Sequence, residues 1–211
     1  MPSSSYRKQL FCHEKIIEMK SKKELRHTYR AKRCQLSIAR EAVLNSMLLN
    51  QFMKIDLSKV SLLHVFIPIE KYHEPNTYAI INYLQEFYPQ IKIVVSRSNF
   101  EDYSMRHYLF DTQMRFEKNA WGISEPTAGV EVAPSDIDMV LVPLLIFDLF
   151  GYRVGYGKGF YDRFFSQCKV DVQRIGLSFF EPIDVIMDRN ELDVQLTQAV
   201  TPYHIYHFVN E

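Results

Sequence analysis

MVLVPLLIFDLFGYRVGYGKGFYDR (residues 139–163) runs from a wholly apolar segment into a loop that carries four of the chain's seven glycines. The apolar run 139–147 suits a central strand covered on both faces, as in a parallel sheet. Pro143 lacks a ladder donor and predicts a bulge or an interruption within it. GFYDRFFSQC (159–168) then reads as a short helix. A loop between a buried strand and a helix lies where open α/β sheets bind ligands, outside the carboxyl ends of the strands. Glycines let successive N–H groups turn towards an anion, and the helix adds the positive end of its dipole. The loop therefore reads as a phosphate cradle ringed by Arg153, Lys158, Asp162 and Arg163. Two familiar patterns do not fit it. A P-loop needs Ser or Thr after its lysine, where Gly159 follows Lys158, and the dinucleotide fingerprint needs a glycine where Phe160 stands.

Outward from this stretch the chain alternates periods. Residues 20–36 and 38–54 have helical spacing, with Ser37 placed to cap the second segment. SLLHVFI (61–67) is a buried strand ending at Pro68, residues 76–88 a helix capped by Asn76 and stopped by Pro89, and IKIVVSR (91–97) a second strand. A strand, helix, strand unit implies a parallel pair with a crossover. MRHYLF (105–110) alternates like a half-exposed strand, RIGLSFF (174–180) reads as another, and AVTPYHIYHF (199–208) as a final edge strand broken by Pro202. His204 and His207 would point to opposite faces of that strand, so both read as structural. The sum is an α/β three-layer sandwich, Rossmann-like, with a mostly parallel central sheet and helices on both faces.

Composition narrows the function classes. With 211 residues, 47% of them hydrophobic, the chain can bury a full core. Its 25 basic and 25 acidic residues cancel, so no global field favours nucleic acid or a membrane surface. Residues 1–40 hold eleven Lys and Arg against three Glu, but that basic face stops near residue 40, which argues against an RNA-binding module. The three cysteines, Cys12, Cys34 and Cys168, are scattered and have no paired metal spacing. Neither a membrane-length apolar run nor a signal peptide is visible, and a reducing cytoplasm is the expected location. Met19 precedes the basic run, so residues 1–18 are expected to form an N-terminal extension that adds little to the fold and could be disordered. A single domain would then occupy 19–211.

VPLLIFDLFGYRVGYGKGFYDR (142–163) resembles the signature of 5-formyltetrahydrofolate cyclo-ligases, P-G-L-x-F-D-x-x-G-x-R-L-G-x-G-x-G-Y-Y-D. KKELR (22–26), PIEKYHEPNT (68–77) and WGISEP (121–126) are similar to three further segments of that family, in the same order. Leu144 stands where the family has Gly, Asn76 where it has an acid, and Leu192 and Thr197 where it has His and Asp; Asp193 matches. The resemblance implies ATP- and Mg²⁺-dependent closure of 5-formyltetrahydrofolate to 5,10-methenyltetrahydrofolate by a monomer whose partners are small molecules. ATP would lie on Lys22, Lys23, Glu24, Leu25 and Arg26 and on Arg153, Val154, Gly155, Tyr156, Gly157, Lys158, Gly159, Phe160 and Tyr161. Lys158 and Arg153 would act on the transferring phosphoryl group, and Asp162 and Asp193 would carry Mg²⁺. Ile67, Glu74, Trp121, Phe160 and Tyr161 would enclose the folate.

From the residues alone these positions have other readings. Lys22 and Arg26 could belong to a solvated helix face, Glu74 could be a surface acid, and a lone Trp is usually core. Trp121 stands in a polar loop between Asn119 and Glu125, which favours binding. A folate- or nucleotide-binding relative without turnover is the alternative that Asn76, Leu192 and Thr197 motivate.

Overall fold

The computed structural model describes residues 20–119 and 122–209. Ser21 and Ser37 start helices α1 (Lys22–Cys34) and α2 (Ile38–Phe52) by accepting from the amides of Glu24 and Arg40. Strand β1 (Leu62–His64), helix α3 (Thr77–Phe87) capped by Asn76, and strand β2 (Lys92–Asn99) form the expected crossover unit, with β1 and β2 parallel. Strand β3 (Ser104–Leu109) returns antiparallel to β2, a small hairpin follows in β4 (Phe116–Lys118) and β5 (Ser124–Pro126), and β6 (Glu131–Val132) pairs with β3. The apolar run opens as β7 (Met139–Pro143) and is followed by β8 (Ile146–Phe147), β9 (Arg153–Val154) and helix α4 (Phe160–Phe165). Strands β10 (Gln173–Leu177), β11 (Gln198–Val200) and β12 (Ile205–His207) complete the chain.

Eight strands form one sheet in the order β12-β11-β10-β7-β1-β2-β3-β6. Its centre, from β11 to β2, is parallel, and its margins are antiparallel. Alternation along β7 sends Met139 and Leu141 to one face and Val140 and Val142 to the other, and all four are fully buried. The first face is covered by α2 and α3 through Leu44, Leu48, Phe52, Ile80, Ile81 and Leu84. The second is covered by Phe147, Phe164 and Phe165, from the β8–β9 hairpin and α4. The chain is thus a three-layer α/β sandwich, with a helical second layer and a thinner third one. No helix among the described residues is long and apolar enough to cross a membrane.

Three segments differ from their sequence reading. The run 139–147 is interrupted at Pro143, as its missing ladder donor predicts, but it does not resume in the same sheet. Pro143 pairs with Leu177 at the end of β7, and the amide of Leu145 then donates to Val154 O at 2.8 Å, turning the chain into the β8–β9 hairpin. Leu144, Leu145, Ile146 and Phe147 stay buried because the hairpin lies on the sheet, so an apolar run continues where the strand does not. The segment 199–208 is a hairpin, not a single broken strand. Thr201 Oγ1 accepts from the amides of Tyr203 and His204, so the chain reverses at Pro202 into β12. His204 Nδ1 lies 2.9 Å from Glu181, consistent with a structural role. Strand β1 also stops short of the expected 61–67, although Val65 N still donates to Val94 O at 2.8 Å.

Candidate active site

Helix α1 brings its basic face to the glycine loop through two buried residues, Leu25 and Arg33. Leu25 inserts among Ile146, Val154 and Ile186, while the Ser21 and Glu24 capping box holds the first turn. Lys22 and Arg26, on either side of Leu25, then point at the site. Lys22 Nζ contacts both oxygens of Asp193, one at 2.6 Å, and Arg26 Nε donates to Gly155 O at 3.0 Å. Lys23 and Glu24 are exposed, and Glu24 is committed to the cap.

The loop 155–159 needs its glycines for two reasons. Gly157 and Gly159 have φ of +87° and +72°, and a Cβ on Gly157 would lie 2.9 Å from the Arg26 guanidinium carbon. Arg26 thus roofs the loop, and the positive φ of Gly157 favours glycine beneath it. Among the described residues, the amides of Tyr156, Gly157, Lys158 and Gly159 donate to no acceptor. Lys158 is exposed, its Nζ 5.5 Å from the Tyr103 ring centre, and its carbonyl accepts from Arg163 Nη1 at 2.9 Å.

Below the loop, the nearly buried Arg153 donates through Nη2 to Asp162 Oδ1 at 2.7 Å and through Nη1 to Val194 O. Asp162 Oδ1 also accepts the Val194 amide at 3.2 Å, and Asp193 accepts the Asn190 amide at 2.7 Å. Segment 190–194 therefore draws the two acids expected to hold metal up against the loop, each facing a cation. Among the described residues, Asp162 Oδ2 has no partner and no group of three or more His, Cys, Asp or Glu is arranged for a metal. Mg²⁺ needs only one or two carboxylates when phosphate oxygens supply other ligands, so these residues fit it.

The residues expected around the folate are placed unevenly. Phe160 meets Phe100 and Tyr103 edge-on, with ring centres 5.2 and 5.7 Å away. Tyr161 packs against Phe164 and Phe165, and burial, reinforced by the charge of Glu74, pushes its phenol well up. Ile67 belongs to the main core, and its side chain is almost wholly inside. Trp121 lies outside the described residues.

Glu74 is no surface acid: it is 4% exposed, accepting from Tyr156 Oη at 2.5 Å and from the Ile69 amide at 2.7 Å. Burial raises its pKa, while Arg33, the Tyr156 hydroxyl and the Ile69 amide pull it down. Sequence reasoning missed Arg33, which is 2% exposed and donates to Tyr156 Oη and to Leu144 O. A signal was present: Lys22, Arg26, Arg30 and Arg33 recur at the spacing of one helix face.

Of the departures from the family pattern, Leu144 joins this cluster through its carbonyl, which accepts from Arg33, and the other three do other work. Asn76 caps α3, Leu192 is 81% exposed, and Thr197 Oγ1 bridges the backbone of Arg174.

Comparison with known proteins bears on the same segments. The chain is 41% identical over 49 residues to a 5-formyltetrahydrofolate cyclo-ligase of Mycoplasma genitalium, covering 23% of this chain and 30% of the relative. It is 34% identical over 91 residues to a probable enzyme of that name from Caenorhabditis elegans, covering 38% and 43%. These matches span less than half of the relatives' own lengths. The solved 5,10-methenyltetrahydrofolate synthetase of Aquifex aeolicus shares the fold, with a TM-score of 0.75 at 24% identity over 90% of this chain and 94% of that one. The family model of 5-formyltetrahydrofolate cyclo-ligases matches residues 18–202, from the segment before Ser21 to the turn after β11. This chain belongs to the 5-formyltetrahydrofolate cyclo-ligase family.

Proposed function

We propose that the protein converts 5-formyltetrahydrofolate to 5,10-methenyltetrahydrofolate with conversion of ATP to ADP and phosphate, as a cytoplasmic monomer. The observation that carries this reading is the loop 155–159, where unpaired amides, the Arg26 roof and the Arg153–Asp162 pair adjoin one another, and Tyr156 touches Glu74. A triphosphate suits the amides and cations, and Glu74, which accepts from Tyr156 of that loop, is a carboxylate for the second substrate.

The reaction explains why those groups belong together. The formyl oxygen is a poor leaving group, so it first attacks the γ-phosphorus and ADP departs. Nitrogen 10 of the same folate then attacks the activated carbon, phosphate leaves with that oxygen, and the nitrogen gives up its proton. Phosphoryl transfer calls for positioning and charge neutralisation more than for covalent help. Arg153, held by Val194 and Asp162, is a rigid cation beneath the loop, and exposed Lys158 can follow charge as it moves. Mg²⁺, held through Asp162 and Asp193, would neutralise phosphate oxygens. Lys22 would have to share Asp193 with it. Phe160 and Tyr161 would wall the pterin and exclude water from the activated carbon.

The test is to mix the protein with Mg-ATP and 5-formyltetrahydrofolate and follow the near-ultraviolet absorbance of the methenyl product. We expect absorbance to grow only when both substrates are present. Tight folate binding without any absorbance change would identify a relative that has lost turnover. The structural work done by Asn76 and Thr197, and the exposure of Leu192, argue against that outcome.

A further inference from the structure

Three segments far apart in sequence meet at one phenol. Arg33 of α1 donates through Nη2 to Tyr156 Oη, and that hydroxyl donates to Glu74 Oε1 at 2.5 Å. Arg33 is anchored by a second bond, from Nη1 to Leu144 O at 3.2 Å, and Glu74 by the Ile69 amide at 2.7 Å. Outside this chain the Tyr72 ring stacks on Tyr156 with centres 5.4 Å apart, and Arg30 lies 4.3 Å over Tyr72. A buried cation and a buried carboxylate are thus joined through a hydroxyl rather than directly. Each Glu74 oxygen accepts one bond and keeps a second lone pair for a ligand.

We infer that Arg33 and Tyr156 are positioning residues for folate, which act by fixing the direction and the charge of the Glu74 carboxylate. This rests on reading Glu74 as a folate contact. Two features of the chain carry it. A buried arginine is costly unless paired, and here its compensation runs through Tyr156 to Glu74, so the three groups form one unit. Tyr156 stands between Gly155 and Gly157, so the same hydroxyl anchors the folate segment to the phosphate loop. Arg33 from α1, Tyr156 from the loop, Tyr161 from α4 and the Ile69 amide of its own segment are the groups that bear on Glu74.

The sign of a pH effect follows. The Tyr156 hydroxyl opposes the upward push of burial on Glu74. Tyr156→Phe removes that opposition, so Glu74 takes up its proton at a higher pH.

The experiment is equilibrium binding of 5-formyltetrahydrofolate without ATP, from neutral to mildly acid pH, for wild type, Tyr156→Phe and Arg33→Lys. For Tyr156→Phe we expect a Kd raised about tenfold, the scale of one hydrogen bond to a charged group. Its loss of binding on acidification should begin at a higher pH than in wild type. Arg33→Lys keeps the charge but loses the fork that reaches both Tyr156 and Leu144 O, and should shift the acid limb in the same direction by less. A Tyr156→Phe protein with wild-type Kd and acid limb would overturn the inference while leaving folate binding intact. Absence of folate binding by wild type would instead remove the proposed function on which the inference rests.

Discussion

Residues 147–154 and 155–162 are two halves of one glycine-rich stretch, and they treat their backbone amides in opposite ways. In the first half the amides are consumed. Asp148, fully buried, accepts Phe150 N and Tyr152 N on one oxygen at 3.0 and 2.9 Å and Ile186 N on the other at 3.0 Å. Burial raises its pKa against the pull of those amides and of Arg189, which stands 3.8 Å away. Gly151 has φ of +85°, and a Cβ there would meet Phe208 at 2.7 Å. In the second half the amides of Tyr156 to Gly159 have no acceptor among the described residues, and Gly155 has open space where a Cβ would lie. One aspartate therefore closes a turn and ties it to Ile186, while Asp162 pairs with Arg153 at the edge of the site. Glycine and aspartate in one stretch can close a turn at one position and adjoin unpaired amides a few residues later. What separates them is whether the tertiary structure uses up the amides.

The contrast is easiest to break at Asp148. Asp148→Ala leaves three backbone donors without their acceptor and should lower stability by about 3–5 kcal/mol, read from the urea midpoint. A loss below about 1 kcal/mol would mean that the first half is not the folding half. At Lys158 the effect should fall on chemistry. Lys158→Ala should reduce kcat about a hundredfold, roughly 3 kcal/mol of transition-state stabilisation, with stability within about 0.5 kcal/mol of wild type. An unchanged kcat with a raised KM for ATP would restrict the lysine to ground-state binding. The glycines sharpen the comparison most finely. Gly151→Ala is strained in φ and collides with Phe208, so about 1–3 kcal/mol of stability should be lost. Gly155→Ala should leave the melting temperature near wild type and register only in turnover. Equal melting temperatures for the two variants would erase the distinction between the halves.

The features legible beforehand share one property, that their energies are local. Ser37 and Asn76 end non-helical backbone and satisfy the first amides of a helix, so helix starts could be read from a few residues. Period alone separated β1, α3 and β2, and the parallel crossover followed from their spacing. The glycine loop was visible because positive φ and close approach leave few other residue types. The interruption at Pro143 was legible, but the hairpins that follow it and that turn at Pro202 were not, because an apolar run records burial, and burial does not say whether the backbone stays in the sheet.

The amino-acid sequence by itself determined the helix caps, the parallel unit, the position of the glycine loop and, through its long signature, the family. Only the tertiary structure decided which amides stay free, that Asp193 faces Lys22 and Asp162 faces Arg153, and that Glu74 is buried against Tyr156 and Arg33. The physical reason is one of range. A cap or a turn is settled within a few residues, whereas the partner of a charge depends on which distant segments the sheet order β12-β11-β10-β7-β1-β2-β3-β6 brings together, an outcome of burial summed over the whole core.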